Sequence, residues 1–595
     1  MSPAHRVRNR RGWVFWTVLV IILLLIGWVS WIAVRGLIAQ DNLTVAVRDA
    51  RAVQTRIVSG DTEAAGASAR SLSEHAELAA AMTHDPIWAV TEVLPWVGPN
   101  LAAVRQITEV VDSIAGQAVL PLVDVSGTID LESFQITDQG IDLAPIVAAR
   151  GQLDQANQVM TAATDKAGAI DVDSTVGVVR ESVLLLTTVV GEAADAIDAL
   201  DRTANLLPAM LGEDGARKYI VLIQNNAEVR ASGGISGAQV LLATDQGKVS
   251  LAAQASSQDF PYFEEPVLPL DAPTLTLYGK PTGQYIQDVN FTPQFTTTGP
   301  LAAEMWRRVY GDQVDGVIAI DPVLLSYLLV ATGPVTVDGV EITADNAVTV
   351  LLSDVYARYS DPEAQDAFFA EAARQVFARV TSGQAPATEL VAALVRGGEE
   401  QRIRIWNSRE QDQAQVVGTT LSGVMPADNS ETTQIGVFLN DATGAKMNYY
   451  TKLETTLAAA TCRKDGRPSY RVTATWTNEA PADAASVLPD YVTGGGGFGV
   501  EPGSVKTRIV VYGPVGALIA GGSVNGENQP SQPTYENERP ALQFETLLKP
   551  GESAVVQVDF LGEAADSGPL LVTTTPTINL METNYQSLPC NSSLH

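Results

Sequence analysis

The first strong pattern along the chain is a run without polar punctuation. Trp13 to Val34 is 22 residues with no charge, closed by Arg35. A helix of about 20 apolar residues crosses a hydrocarbon core of about 30 Å. Trp13, Trp16, Trp28 and Trp31 stand toward its two ends, where indole rings favour the interface. The pattern predicts a transmembrane helix over 13–34. Arg6, Arg8, Arg10 and Arg11 precede it without any acid, so the positive-inside rule puts residues 1–12 in the cytoplasm and the rest of the chain outside the cell membrane. The alternative is a cleaved signal peptide, which uses a shorter apolar core of about 7–15 residues and a small-x-small site. Leu37 and Ala39 make a poor site, and the uncleaved anchor is the better reading. Val183–Val190 and Val323–Ala331 are too short to span and read as core.

Beyond the anchor the pattern changes twice. Residues 36–211 are Ala-rich with apolar positions three and four apart, as at Leu43, Val47, Ala50 and Val53, which predicts helices. Pro86, Pro95 and Pro99 around Trp88 and Trp96 mark a helix-hairpin corner; Leu101–Ala118 and Val176–Leu207 are further helices, and Ser126–Pro145 reads as a loop. A helical stalk or bundle explains this region better than a coiled coil, since no heptad is sustained. From 212 to about 425, short apolar strands (Arg217–Gln224, Gln239–Ala243, Lys248–Ala255, Gly316–Ile320, Arg402–Trp406) alternate with helices (Leu301–Val309, Ala344–Tyr359, Ala364–Thr381, Thr388–Arg396). That predicts an α/β layer domain. Asp245-Gln246-Gly247 marks a hairpin, and Asp321-Pro322 a helix start. From 426 to 595, Tyr470–Thr477, Lys506–Tyr512 and Ser553–Phe560 alternate as strands, which predicts a β-sandwich. The whole is a multidomain α+β chain.

Composition narrows the chemistry. The 595 residues carry 38 Lys+Arg against 68 Asp+Glu, a net charge of -30. With the five arginines up to Arg35 set aside, the remainder carries -35. An acidic surface of that size argues against nucleic acid. Two cysteines rule out a Cys-rich metal module. Cys462 and Cys590 bracket the β region and, in an oxidising exterior, are expected to pair; two buried thiols are the alternative. His5, His75, His84 and His595 all lie outside 212–425, so a Ser-His-Asp arrangement within that domain is excluded.

The densest polar cluster is Gln224-Asn225-Asn226-Ala227-Glu228-Val229-Arg230-Ala231-Ser232-Gly233-Gly234, directly after a strand, where α/β domains place ligands. Asn225 and Asn226 offer amides, Arg230 a fork for phosphate or carboxylate, and Ser232, Gly233 and Gly234 close backbone approach to an anion. It has neither Walker nor dinucleotide spacing. The plainer reading is a shaped turn with Glu228 paired to Arg230. A second set is Asp288 to Phe295, in which Asn290 and Thr292 suit a polar ligand, with Arg307 and Arg308 on the next helix; equally, it is a turn packed by two Phe. Asp315 and Asp321 flank a strand and suit Mg²⁺, although Asp321 reads as well as an N-cap. Asp354, Tyr356 and Arg358 form a less specific set.

Tyr219–Gly234, Asn290–Phe295, Val314–Pro322, Ala331–Val335, Gly444-Ala-Lys-Met-Asn-Tyr-Tyr450 and Leu488–Val492 together resemble the membrane-anchored family called domain of unknown function 4012. The resemblance implies an actinobacterial-type cell-envelope protein without an established activity. The order of elements in 212–425 is also similar to that of LytR-CpsA-Psr transferases, which move glycopolymers from a polyprenyl-linked carrier onto peptidoglycan. That likeness implies a pyrophosphate at Arg230 and a metal at Asp315 or Asp321. The transferases' dense Arg and Asp set is replaced here by Asn-Asn-Ala-Glu. The function expected is therefore that of an extracytoplasmic envelope protein that binds a cell-wall glycan or a lipid-linked precursor, or organises other envelope proteins. The alternative is a glycopolymer phosphotransferase or pyrophosphate hydrolase, with Mg²⁺ implied only in that case.

Overall fold

A computed structural model describes residues 10–58, 61–126, 140–529, 533–564, 568–579 and 581–590. The cytoplasmic tail expected at residues 1–12 lies outside these residues up to residue 9, as does most of the loop expected at Ser126–Pro145. The described chain is multidomain α+β, with a long apolar helix first and many strands after. Its described residues divide into two compact units, one of those within 1–134 and 142–208, the other of those within 135–141 and 209–595.

The first unit is helical. α1 (Arg10–Val58) begins with the apolar run and continues unbroken past it. It contains the one described helix long and apolar enough to cross a membrane. α2 (Thr62–Thr83), α3 (Pro86–Thr91) and α4 (Gly98–Ile114) follow. Helices Ala144–Gly168 and Gly177–Met210 complete the unit. The many alanines let helices approach closely: Ala46, Leu72, Ala76 and Ala115 pack in one cluster, and Val53, Ala65, Ala69 and Val123 in the next. Polar pairs lock the same interface. Ser71 Oγ donates to Asp49 at 2.6 Å, and His75 Nδ1 lies 2.7 Å from Asn42 Oδ1. His84 Nε2 lies 2.8 Å from Glu109.

In the second unit, β1 (Arg217–Arg230), β2 (Gly233–Asp245), β3 (Lys248–Ser256) and β4 (Gly316–Ile320) belong to one sheet. β5 (Val335–Val337) and β6 (Val340–Ile342) form a separate ribbon, and β7 (Arg404–Asn407) closes the first sheet, ordered β3-β2-β1-β4-β7. Within this sheet, among the described residues, β1 and β4 are the one neighbouring pair that runs parallel; the helix Phe295–Tyr310 lies between them in sequence and packs Leu301, Ala302, Met305 and Trp306 on the sheet with Ile220, Leu222 and Val317. The expected hairpin is formed: Gln246 and Gly247 both take positive φ, 47° and 81°, as a two-residue turn requires.

The remaining strands are β8 (Thr433–Asp441), β9 (Thr451–Ala460), β10 (Ser469–Asn478), β11 (Val505–Tyr512), β12 (Leu518–Val524) and β13 (Glu527–Asn528). They continue with β14 (Thr534–Glu536), β15 (Arg539–Leu548), β16 (Ser553–Leu561), β17 (Leu570–Thr574) and β18 (Glu582–Ser587). They make two sheets, β13-β12-β16-β10-β9-β18 and β14-β15-β11-β8-β17. Both contribute to one core, with Leu457, Val472, Trp476 and Val558 from the first and Val437, Ile509 and Phe544 from the second. Trp476 Nε1 bridges the sheets to Thr507 Oγ1 at 3.0 Å. Val229, from the end of β1, is part of this core. Cys462 and Cys590 are at disulfide distance, with Cα atoms 5.4 Å apart. They join the chain just beyond β9 to the chain just beyond β18, which pairs with β9 at the sheet edge.

Candidate functional site

The polar segment from Gln224 was expected to be a loop after the strand. It is instead the second half of β1, which runs on to Arg230. A bulge makes this tolerable. Asn225 pairs with Ile235 and Val229 with the adjacent Gly234, so Asn226, Ala227 and Glu228 have no opposite residues, and such an insertion re-aims side chains. Local and distant amides then satisfy the backbone. Asn225 Oδ1 accepts from Ala227 N at 3.0 Å, Asn448 Oδ1 from Val229 N at 3.1 Å, and Asn440 Oδ1 from Ala231 N at 3.0 Å. Gly234 is required by contact: a Cβ there would meet the Asn225 carbonyl carbon at 2.1 Å. Asn290 Nδ2 donates to Gly234 O at 2.6 Å, and Ser232 Oγ accepts from Gln224 Nε2 at 3.2 Å. Ser232, Gly233, Gly234 and Asn290 thus close the turn on protein groups.

Glu228 and Arg230 point into a buried charge cluster assembled from four distant segments. Arg230 Nη2 lies 3.2 Å from Glu228 and 3.1 Å from Asp288. Its Nη1 donates to Val229 O, and its guanidinium lies 4.7 Å over the Phe291 ring. Lys446 Nζ meets the other oxygen of Glu228 at 2.8 Å and lies over the rings of Tyr356 and Tyr491 at 5.7 and 5.4 Å. Asn225 Nδ2 donates to Tyr356 OH. Burial opposes ionisation of Glu228, but Lys446 and Arg230 outweigh it and hold its carboxyl below the usual range. At Asp288 burial wins over Arg230 and its carboxyl is raised. Asp441, nearby, is pushed up to about 6 by burial and by the Glu228 charge. Its Oδ2 accepts from Thr443 N and Gly444 N, at 3.1 and 2.8 Å, whereas its Oδ1 has no partner among the described residues.

Asn226 enters a second network. It donates to Asp321 Oδ2 at 3.1 Å and to Pro576 O at 2.9 Å. Arg402 pairs with the same Asp321 oxygen at 2.7 Å and with Glu400 at 2.6 Å. Asp321 Oδ1 caps its helix through Leu324 N at 2.8 Å, so the N-cap reading describes it. Asp315 lies beyond the other end of β4, roughly 20 Å away along a strand of this length, with Arg217 and Arg409 each 3.6 Å off. The two carboxylates therefore do not fit a shared Mg²⁺ site, and each already faces cations. Among the described residues no group of three His, Cys, Asp or Glu is placed to hold a metal ion. Arg307 lies apart from both networks, exposed and paired with Glu304 at 2.7 Å. Of the set Asp354, Tyr356 and Arg358, Tyr356 alone joins the cluster.

Lys446, Asp288, Asp441 and Arg402 are partners that local sequence reasoning does not supply. Lys446 lies more than two hundred residues from Glu228, and nothing in their spacing links them. Residues 214–356 match the family model described as Protein of unknown function (DUF4012). No curated protein matches the chain.

Proposed function

For a chain that belongs over residues 214–356 to this family of unknown function, we propose a single-pass, membrane-anchored extracytoplasmic envelope protein that acts by binding rather than by turnover. The ligand class is a cell-wall glycan or lipid-linked glycan precursor, presented to or shared with other envelope proteins. The apolar run within α1 is the anchor, the arginines before it fix the cytoplasmic flank, and the pair Cys462–Cys590 suits an oxidising exterior. The C-terminal region, residues 426–595, is a β-sandwich in this reading.

One observation carries the binding reading. The charged residues of the densest motifs are spent on one another: Arg230 is held by Glu228 and Asp288, and Asp321 by Arg402. A pyrophosphate would have to displace buried carboxylates from Arg230, leaving unpaired charge. A surface suited to sugar rings is available at Tyr262 and Tyr285, both exposed, with ring centroids 5.1 Å apart and Gln284 Nε2 3.2 Å from Tyr262 OH. Aromatic faces beside an amide suit a polar ring ligand.

The test is co-sedimentation of the full chain, held in lipid nanodiscs, with purified peptidoglycan and with soluble cell-wall glycan as competitor. Saturable pelleting that falls at least tenfold in the Tyr262→Ala/Tyr285→Ala variant is expected. Mg²⁺-dependent release of pyrophosphate from a polyprenyl-linked glycan by the wild-type chain would overturn the binding reading in favour of the transferase. Absence of pelleting would overturn the choice of ligand.

A further inference from the structure

Five arginines in the second unit are buried: Arg217, Arg230, Arg402, Arg404 and Arg539. Four have the company a buried guanidinium needs. Arg230 and Arg402 each meet two carboxylates, Arg217 meets Asp315 and the Ala209 carbonyl, and Arg539 is ringed by the carbonyls of Gln434, Gly513 and Pro426. Arg404 is the exception. It is 2% exposed, and its guanidinium makes one hydrogen bond among the described residues, from Nε to Ser232 O at 3.2 Å. Its Nη2 is enclosed without a partner among the described residues. Gly423, held at φ 57°, lies so close that a Cβ there would come within 2.7 Å of Nη1.

Arg404 lines a cavity of about 130 Å³, together with Thr419, Thr420, Gly423, Met425 and Gln434. Gln434, on the same cavity, has an enclosed carbonyl oxygen with no donor among the described residues. We propose that this cavity binds a small oxyanion group, a carboxylate or a phosphate, through the fork of Arg404. Such a group supplies the two acceptors that a guanidinium takes side by side. A hydroxyl next to it would satisfy Gln434. The cavity holds the anionic head of a ligand, with Met425 and Phe438 as its apolar wall.

Equilibrium dialysis of the full chain in detergent tests this with two probes, inorganic phosphate and acetate, at ionic strength matched with chloride. Saturable uptake of one anion per chain is expected, at least tenfold weaker in Arg404→Met. Uptake of phosphate alone assigns a phosphate ligand, and uptake of acetate alone a carboxylate. No saturable uptake of either by the wild-type chain overturns the site, and so does equal uptake by Arg404→Met. If Arg404→Met does not fold, the wild-type isotherm decides.

A second inference comes from the helical unit and rests on the anchored reading. Where the apolar run of α1 ends, Trp28 Nε1 donates to Thr91 Oγ1 at 2.8 Å, Trp31 Nε1 to Asp85 at 3.3 Å, and Arg35 pairs with Asp85 at 3.3 Å. These bonds fix α3 and its following turn at the level where the span leaves the bilayer. That corner is apolar and open. Ile87, Val90, Val93, Leu94, Trp96 and Val97 are exposed, Trp96 by 86%. Trp96 holds φ 67°, a conformation costly for a bulky side chain, and the result is an indole turned outward. We infer that this corner lies in the outer leaflet's interface, as a second, shallow foot beside the span; Trp at that depth is favoured.

Single-cysteine variants Leu24→Cys, Val93→Cys, Trp96→Cys and Glu63→Cys, carrying an environment-sensitive fluorophore, decide this in nanodiscs containing brominated phosphatidylcholine. Quenching and a blue shift are expected at 24, 93 and 96, with bromine near the headgroup most effective at 93 and 96, and no change at 63. Quenching at 24 without quenching at 93 and 96 overturns the foot alone. No quenching at 24 overturns the anchor, and the foot with it.

Discussion

Arg230 looks, in isolation, like an exposed fork awaiting an anion. In place it is the counter-charge to Glu228 and Asp288. Removing one partner of a buried ionic group typically costs about 3–5 kcal/mol, because the other is left unpaired. Arg230→Met should therefore destabilise the second unit by about that amount, read as a fall in urea midpoint with the slope unchanged. Asp441 behaves in the opposite way. Its carboxyl is raised from 3.8 to about 6, so protonation is favoured in the folded state. The associated stability is present below pH 3.8 and is lost as pH rises through 6. Asp441→Asn keeps an acceptor for Thr443 N and Gly444 N and puts a donor where Oδ1 has no partner. It should raise stability at pH 7.5 by about 1–2 kcal/mol and flatten its pH dependence between 4 and 6, measured by thermal melts across that range.

Among the elements, β1 shows what could be read ahead and what could not. Its first half, Arg217–Gln224, is built around the apolar run Tyr219–Ile223 and was legible as a buried strand. Its second half is polar, and polarity in sequence is the ordinary sign of a loop. The strand continues because Asn440 and Asn448, each some two hundred residues on, bond its bulged backbone, and no local pattern encodes partners at that separation. The Gly233-Gly234 pair was legible as a place of close approach, but the approaching group is the Asn225 peptide and not a phosphate. Gly234→Ala should consequently break the β1–β2 turn and cost at least about 2 kcal/mol, a loss of the kind seen when a close backbone contact is overpacked. Hydrogen exchange would show the β1–β2 amides losing protection first. Asp321 was legible in both its readings, and Arg402, remote in sequence, decides between them. The long apolar helix, the hairpin at Gln246-Gly247 and the strand Gly316–Ile320 were legible because each is specified by residues within the element.

For the molecule as a whole, the terminal strand is held by more than its ladder. Among the described residues β18 is an exposed edge strand paired with β9 alone, and the link Cys462–Cys590 closes a stretch of 128 residues. Constraining an unfolded chain over a loop of that length stabilises the fold by about 2–5 kcal/mol. Reduction, or Cys462→Ser/Cys590→Ser, should lower the melting temperature of the second unit and leave the helical unit's transition unmoved, as calorimetry with and without reductant would show.

The helix α1 passes from its apolar run into the helical unit without a break. It is about 70 Å long at the usual rise, and it has no hinge in which a twist could be absorbed. The azimuth of the bundle is thereby phased to that of the apolar segment. One residue inserted between 13 and 34 would turn the outer faces of α1 by about 100° and advance them by about 1.5 Å. A rotation imposed on the apolar segment, by a neighbouring helix for example, would be passed along α1 to the helices packed against its second half.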